Sequence, residues 1–109
     1  MAGANDGAEF RTVARLEDVP EGGLKGIEID GTRIVLAESG GEIFALYDEC
    51  SHEEYALSDG DLEGDQVVCI YHGARFEACS GKNKALPAVR PVKSYPVEVR
   101  DGDVYVDVG

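Results

Sequence analysis

Hydrophobic and polar residues alternate along this chain in short stretches separated by turn residues, a pattern typical of an all-β protein. Two of the turns, Asp30-Gly31 and Asp101-Gly102, are hairpin signals in which both positions tolerate a positive φ. No helix of more than a turn or two is predicted. The predicted strands are Phe10–Leu16, Leu24–Ile29, Thr32–Ala37, Glu42–Tyr47, Gln66–Cys69, Arg75–Ala78, Tyr95–Arg100 and Val104–Val108.

The stretches between these strands are interpreted as turns and loops. Gly60 and Gly64 bracket an acidic turn, and Lys82-Asn83-Lys84 is a basic patch expected in a solvated loop. Residues 1–9 are polar and rich in small residues, which predicts a flexible N-terminal tail. In a chain of 109 residues, the remaining part, 10–109, is long enough for one domain.

The composition narrows the range of partners. The chain has 22 Asp and Glu residues against 10 Lys and Arg, a net charge of −12, which disfavours binding to nucleic acid or to an anionic membrane. The charge suits docking on a basic surface, although solubility explains it equally well. The sequence shows neither a signal peptide nor an apolar run that could span a bilayer. We therefore expect a cytoplasmic protein without disulfides.

The candidate chemistry is concentrated between Cys50 and His72. Cys50 is followed two positions later by His52, and Cys69 three positions later by His72, and the chain has no other histidine. Two thiolates and two imidazoles are enough to hold a metal centre through four protein bonds. Cys79 lies outside this pattern and is interpreted as a free cysteine.

Two kinds of metal centre remain open on the ligand types alone. Zinc accepts two cysteines and two histidines, but its usual spacing places the cysteines close together and the histidines close together. Here each loop carries one of each, which suits a [2Fe-2S] cluster with two thiolates on one iron and two imidazoles on the other.

The stretch resembles the Rieske ligand pattern, in the form Cys50-x-His52-x16-Cys69-x-x-His72, and the resemblance extends to the neighbouring residues. It covers about Phe10 to Val108. The similar motifs are Leu57-Ser58-Asp59-Gly60, His72-Gly73-Ala74-Arg75-Phe76, Ser80-Gly81-Lys82 and Leu86-Pro87-Ala88.

The resemblance implies a Rieske fold. Its base would be a sandwich or barrel of antiparallel sheets, and a small subdomain at about residues 48–88 would bind one [2Fe-2S] cluster. The implied ligands are Cys50, His52, Cys69 and His72. Respiratory Rieske proteins carry an extra disulfide-bonded cysteine in each cluster loop, which this sequence lacks. We therefore expect a reduction potential in the lower part of the Rieske range, nearer about −150 mV than about +300 mV.

Within this family the chain is similar to the ferredoxin components of bacterial ring-hydroxylating oxygenase systems. The implied function is one-electron transfer from an NAD(P)H-dependent flavoprotein reductase to a terminal oxygenase, by a chain that we expect to be a monomer and not itself an enzyme. The sequence has no Gly-x-Gly-x-x-Gly turn for a dinucleotide. Both histidines are assigned to the cluster, so a mononuclear iron site would lack its ligands.

The family resemblance also indicates where electrons would leave. The imidazole edges of His52 and His72 would form an exposed tip, with apolar candidates around it at Tyr55, Ile70, Tyr71 and Pro87. Three alternative functions remain: a Rieske protein of iron-sulfur assembly, suggested by the similarity of His52-Glu53-Glu54-Tyr55; the small subunit of a nitrite reductase; and a colourless, zinc-stabilised interaction module.

Overall fold

The computed structural model describes residues 10–50, 55–70, 73–85 and 90–108, and within them it shows eleven β-strands. The predicted tail, residues 1–9, lies outside the described residues. All observed strand pairs are antiparallel, which confirms the all-β prediction. The strands are β1 (Phe10–Arg15), β2 (Leu24–Ile29), β3 (Thr32–Ser39), β4 (Glu42–Tyr47), β5 (Asp61–Glu63), β6 (Gln66–Val68), β7 (Arg75–Glu77), β8 (Asn83–Ala85), β9 (Ser94–Tyr95), β10 (Val97–Arg100) and β11 (Asp103–Asp107).

The strands form three sheets. The first sheet has the order β1-β11-β10, the central sheet β2-β3-β4-β9 and the third sheet β5-β6-β7-β8. Both predicted Asp-Gly hairpins are confirmed, since φ is 50° and 85° at Asp30 and Gly31, and 51° and 80° at Asp101 and Gly102. A positive φ at both central residues gives the turn a twist that matches the paired strands.

The central sheet is buried on both faces. Ile34 and Leu36 of β3 pack in one cluster of buried side chains with Val104 of the first sheet. Val35, on the opposite face of β3, packs in a second cluster with Phe76 of the third sheet. The uninterrupted apolar run from Ile34 to Ala37 follows from this arrangement, because a strand between two packed layers has no solvent-facing side.

The structure corrects two predicted loops. Asp61–Glu63, predicted as an acidic turn, is strand β5, paired with β6; Leu62 is half-buried between two exposed acidic residues, and the turn itself falls at Gly64. The basic patch at Lys82-Asn83-Lys84 contributes to β8, which pairs with β7 at the edge of the third sheet. Edge strands tolerate charged side chains because one side faces solvent. The polar sequences of β5 and β8 therefore resemble those of loops.

One predicted strand is divided in two. Tyr95 pairs with Ala45 in the central sheet, whereas Val97 pairs with Val106 in the first sheet. Pro96 stands at the division, and its lack of an N–H interrupts a continuous ladder. The chain therefore passes from one sheet to the other at this proline.

Helical structure in the described residues is limited to two short 3-10 turns, Leu16–Asp18 and Leu57–Asp59. In the described parts of the chain, no helix has the length and apolar character needed to cross a bilayer. The second 3-10 turn lies between the two cysteine loops in sequence, and its Leu57 is fully buried.

Candidate metal centre

Each of the two predicted thiolate ligands opens a loop of the same construction. The backbone N–H of Cys50 donates to the carbonyl oxygen of Tyr55 at 2.8 Å, and that of Cys69 donates to the carbonyl oxygen of Ala74 at 2.7 Å. Both hydrogen bonds therefore join residues five positions apart. Two loops of equal length, each closed by the same type of hydrogen bond, follow the ends of β4 and β6.

The predicted imidazole ligands fall inside these loops in sequence. His52 is two positions after the first cysteine and His72 three positions after the second. Both histidines lie outside the described residues. Within the described parts of the chain, no three His, Cys, Asp or Glu side chains converge as metal ligands, so the described residues provide two of the four predicted ligands.

The side chains of Cys50 and Cys69 are buried in a shared core. Their exposed fractions are 4% and 2%, and both belong to the cluster of buried residues that contains Leu57, Ala74 and Phe76. Neither forms a disulfide bond. Two cysteines in one apolar core, neither of them in a disulfide, fit the thiolate half of an iron-sulfur cluster, which needs soft sulfur donors shielded from solvent.

Cys79 differs from these two residues in both burial and chemistry. It is exposed, on the turn that follows β7, and its Sγ lies 3.5 Å from a carboxyl oxygen of Glu77. Partial desolvation raises the pKa of the Cys79 thiol, as do its hydrogen bond to Glu77 and the charge of that carboxylate. Since metal ligation requires a thiolate, this environment supports the assignment of Cys79 outside the ligand set.

The apolar residues predicted around the exposed tip differ in their exposure to solvent. Ile70, directly after Cys69, is 63% exposed, whereas Tyr55 is half-buried against the core. Tyr71 and Pro87 lie outside the described residues. Ile70 is therefore the one predicted tip residue among the described residues that is exposed to solvent.

A buried acidic residue near the first loop was not identified from the sequence. Asp48, two positions before Cys50, is 5% exposed and is the only buried charged side chain among the described residues. Its two carboxyl oxygens accept hydrogen bonds from the N–H of Ser58 at 2.7 Å and from the Ser58 hydroxyl at 2.6 Å. The Leu-Ser-x-Gly motif contained the partner, but only the fold brings the two residues together.

Comparison with known proteins places these features in a family. The model of the Rieske [2Fe-2S] domain matches residues 9–96. The ferredoxin component of the naphthalene 1,2-dioxygenase/salicylate 5-hydroxylase systems of a Ralstonia species is 40% identical over 88 residues, which cover 81% of this chain and 85% of that protein. The ferredoxin component of biphenyl 2,3-dioxygenase from Rhodococcus jostii is 42% identical over 91 residues, with 84% and 85% covered.

A solved structure shows the same likeness in three dimensions. A chain in the complex of reduced oxygenase and oxidised ferredoxin of carbazole 1,9a-dioxygenase superposes with a TM-score of 0.84 and 30% identity, over 90% of this chain and 92% of that one. The fold of this chain thus agrees with that of a chain in an oxygenase–ferredoxin complex.

Proposed function

We propose that this chain, which belongs to the Rieske [2Fe-2S] domain family, holds its cluster through Cys50, His52, Cys69 and His72. The observation that carries the proposal is the pair of buried cysteines, which lie in one shared core and each begin a loop closed by the same type of backbone hydrogen bond. When bound, such a cluster supplies one-electron transfer. The protein shields the thiolates from water and fixes the loops that hold them.

The chain is an electron carrier, a ferredoxin component of the kind found in ring-hydroxylating dioxygenase systems. Its relatives are named as ferredoxin components and not as the oxygenases of those systems. Its own residues bind and insulate the redox group, and substrate oxidation takes place on another protein.

We assign two partners to this carrier: an NAD(P)H-dependent flavoprotein reductase as the electron source and a terminal oxygenase as the electron acceptor. The relative from the carbazole system was solved in complex with its oxygenase, which supports the second partner. Because NAD(P)H and reduced thiols are features of the cytoplasm, we place the protein there, as a monomer that leaves one partner before it meets the next.

The metal assignment can be tested by composition. The purified protein should be coloured, contain two irons and two acid-labile sulfides per chain, and give the low average g value of mixed His and Cys ligation when reduced. A colourless protein with one tightly bound zinc and no labile sulfide would contradict the assignment and favour the zinc module.

The ligand assignment can be tested with three matched variants. Cys50→Ser and Cys69→Ser should lose the cluster, because a hydroxyl is a poor substitute for a thiolate on iron. Cys79→Ser is the control and should retain it, since Cys79 is exposed and lies on another turn. Iron content and visible absorbance of the three proteins decide the question. Equal iron loss in the Cys79 variant would show that the ligand set is wrong.

The docking surface is proposed to be the apolar tip around Ile70. Truncation of an energetically important interface residue costs about 1 kcal/mol or more, so Ile70→Ala should slow electron delivery to a cognate oxygenase by roughly five- to tenfold. Val99→Ala is the control, because Val99 is also exposed but lies on β10 in the first sheet. Single-turnover delivery should be unchanged in the control, and an equal slowing in both variants would remove the tip from the docking surface.

A further inference from the structure

A hydrogen-bonded pair, buried Asp48 and half-buried Ser58, connects the two cysteine loops. An isolated buried carboxylate is unfavourable unless its oxygens are hydrogen-bonded, and here both oxygens accept bonds from one residue, at 2.7 and 2.6 Å. Asp48 is separated from Cys50 by one residue, and Ser58 lies in the 3-10 turn Leu57–Asp59. The pair therefore joins the entrance of the first loop to this turn.

The same 3-10 turn continues directly into a close contact with the second loop. The N–H of Gly60 donates to the carbonyl oxygen of Leu57 at 2.9 Å and ends the turn. A Cβ at Gly60 would lie 1.9 Å from the carbonyl oxygen of Val68 and 3.3 Å from the amide nitrogen of Ile70. These two residues flank Cys69, so the position of the turn determines where the second loop begins.

The pair is also pressed against the central sheet. A Cβ at Gly26 of β2 would lie 2.8 Å from the Ser58 hydroxyl oxygen and 3.2 Å from a carboxyl oxygen of Asp48. On the other side, the N–H of Asp48 donates to the carbonyl oxygen of Arg33 in β3 at 3.0 Å. The central sheet thus holds the pair from two adjacent strands, and the pair has little room to shift.

We propose that Asp48 and Ser58 are positioning residues, which hold Cys50 and Cys69 at the separation that a single iron requires. The inference rests on the proposed ligand assignment. The chain of contacts runs from the central sheet through Asp48 to the first loop, and through Ser58 and Gly60 to the second. Residues that orient metal ligands without touching the metal typically change metal affinity ten- to a hundredfold when they are removed.

The test compares two serine variants. Ser58→Ala removes the hydroxyl that binds Asp48. Ser39→Ala is the matched control, because the Ser39 hydroxyl also joins the central sheet to the third sheet, through the carbonyl oxygen of Gly64 at 2.9 Å, but at the β5–β6 turn. Iron release to a chelator, followed by visible absorbance well below the unfolding temperature, should be roughly tenfold or more faster in Ser58→Ala. In Ser39→Ala the rate should stay within about twofold of the parent.

A second readout separates positioning from simple stability. The g values of the reduced protein should shift in Ser58→Ala and remain unchanged in Ser39→Ala, since they respond to cluster geometry and not to global unfolding. Asp48→Asn keeps an acceptor for the Ser58 N–H and a donor for its hydroxyl, so it should resemble the parent more closely than Asp48→Ala does. Gly26→Ala crowds Ser58 from the other side and should reproduce the faster release without removing either partner.

Two outcomes would overturn the inference in distinguishable ways. If Ser58→Ala and Gly26→Ala released iron at the parental rate with parental g values, the pair would only stabilise the fold. If Cys50→Ser or Cys69→Ser retained the cluster, the ligand assignment itself would be wrong, and with it the separation that the pair is proposed to set.

Discussion

The two faces of the central sheet carry cores of different composition. The core shared with the first sheet is aliphatic, with Ile34, Leu36 and Val106 fully buried. The core shared with the third sheet contains the thiols of Cys50 and Cys69 beside Phe76 and Leu57. Strands β2 to β4 have six to eight residues, whereas each strand of the third sheet has three.

This difference indicates that the two regions are stabilised in different ways. Long strands around an aliphatic core are stabilised by apolar burial and ladder hydrogen bonds and need no bound group. Short strands form fewer ladder hydrogen bonds, and a bound metal adds binding free energy that becomes folding free energy. We therefore expect the first and central sheets to be stable without a bound group and the third sheet to depend on the proposed cluster.

The largest expected difference between the regions follows removal of the metal. Chelation of the cluster should abolish amide exchange protection in the third sheet, for example at the Ala78 N–H that donates to the Asp65 carbonyl oxygen at 2.8 Å. Amides in β2 to β4 should stay protected, because the other face of these strands packs in an aliphatic core that contains neither cysteine. Hydrogen exchange measured residue by residue before and after chelation checks this. A uniform loss of protection would mean that the sheets unfold as one unit.

A smaller difference between the two cores should appear when one large side chain in each is truncated to alanine and iron release is measured. Phe76→Ala and Leu36→Ala each remove a fully buried side chain, from the thiol-containing and the aliphatic core respectively. Denaturant unfolding should show a loss of about 3 to 5 kcal/mol for the first and about 2 to 5 kcal/mol for the second. Only Phe76→Ala should also accelerate iron release, since it opens the wall around the cysteines. Equal release from both variants would show that the cores are not separable in this respect.

Local signals in the sequence predicted the first and central sheets better than the third sheet. The Asp30-Gly31 and Asp101-Gly102 turns were recognisable because a hairpin with two positive φ angles restricts the residue types. Strand β5 was missed because three residues with two acidic side chains match a turn as well as an edge strand. The division at Pro96 depends on which sheet each flanking strand joins, and that is a tertiary property.

The candidate site shows the same limit. The spacing of Cys50 and Cys69 and their paired histidines predicted the ligand set, because few other functions use this pattern. The spacing did not predict the burial of Asp48, its bonds to Ser58, or the close approach of Gly60 to Val68. These contacts join residues that are distant in sequence and leave no periodic signal. Sequence reasoning therefore predicted a ligand set but not the residues proposed to position it.

The smallest expected effect concerns the turn that connects β7 and β8. The Glu77 carboxylate accepts hydrogen bonds from the Ser80 hydroxyl at 2.6 Å and the Cys79 thiol at 3.5 Å, and it lies 3.7 Å from the Lys84 ammonium. These groups lower the pKa of Glu77 from its ordinary value of 4.5, the Ser80 hydroxyl most strongly. A carboxyl group with a lowered folded-state pKa stabilises the folded state above its unfolded-state pKa, and this contribution is lost as pH falls through the folded-state value.

Glu77→Gln should therefore weaken protection of the Gly81 amide, which donates to the Glu77 carbonyl oxygen at 2.7 Å. The loss of protection should be full at neutral pH and small in acid below the folded-state pKa of Glu77. Exchange at that amide measures the turn directly, while the unfolding temperature should change little because the carboxylate is exposed. Glu98→Gln, which removes an exposed carboxylate from β10 beside Arg100, should leave Gly81 protected to the parental degree at both pH values. If Glu77→Gln lost as much Gly81 protection in acid as at neutral pH, lost packing rather than lost charge would explain the effect. The stability of the turn would then be independent of pH.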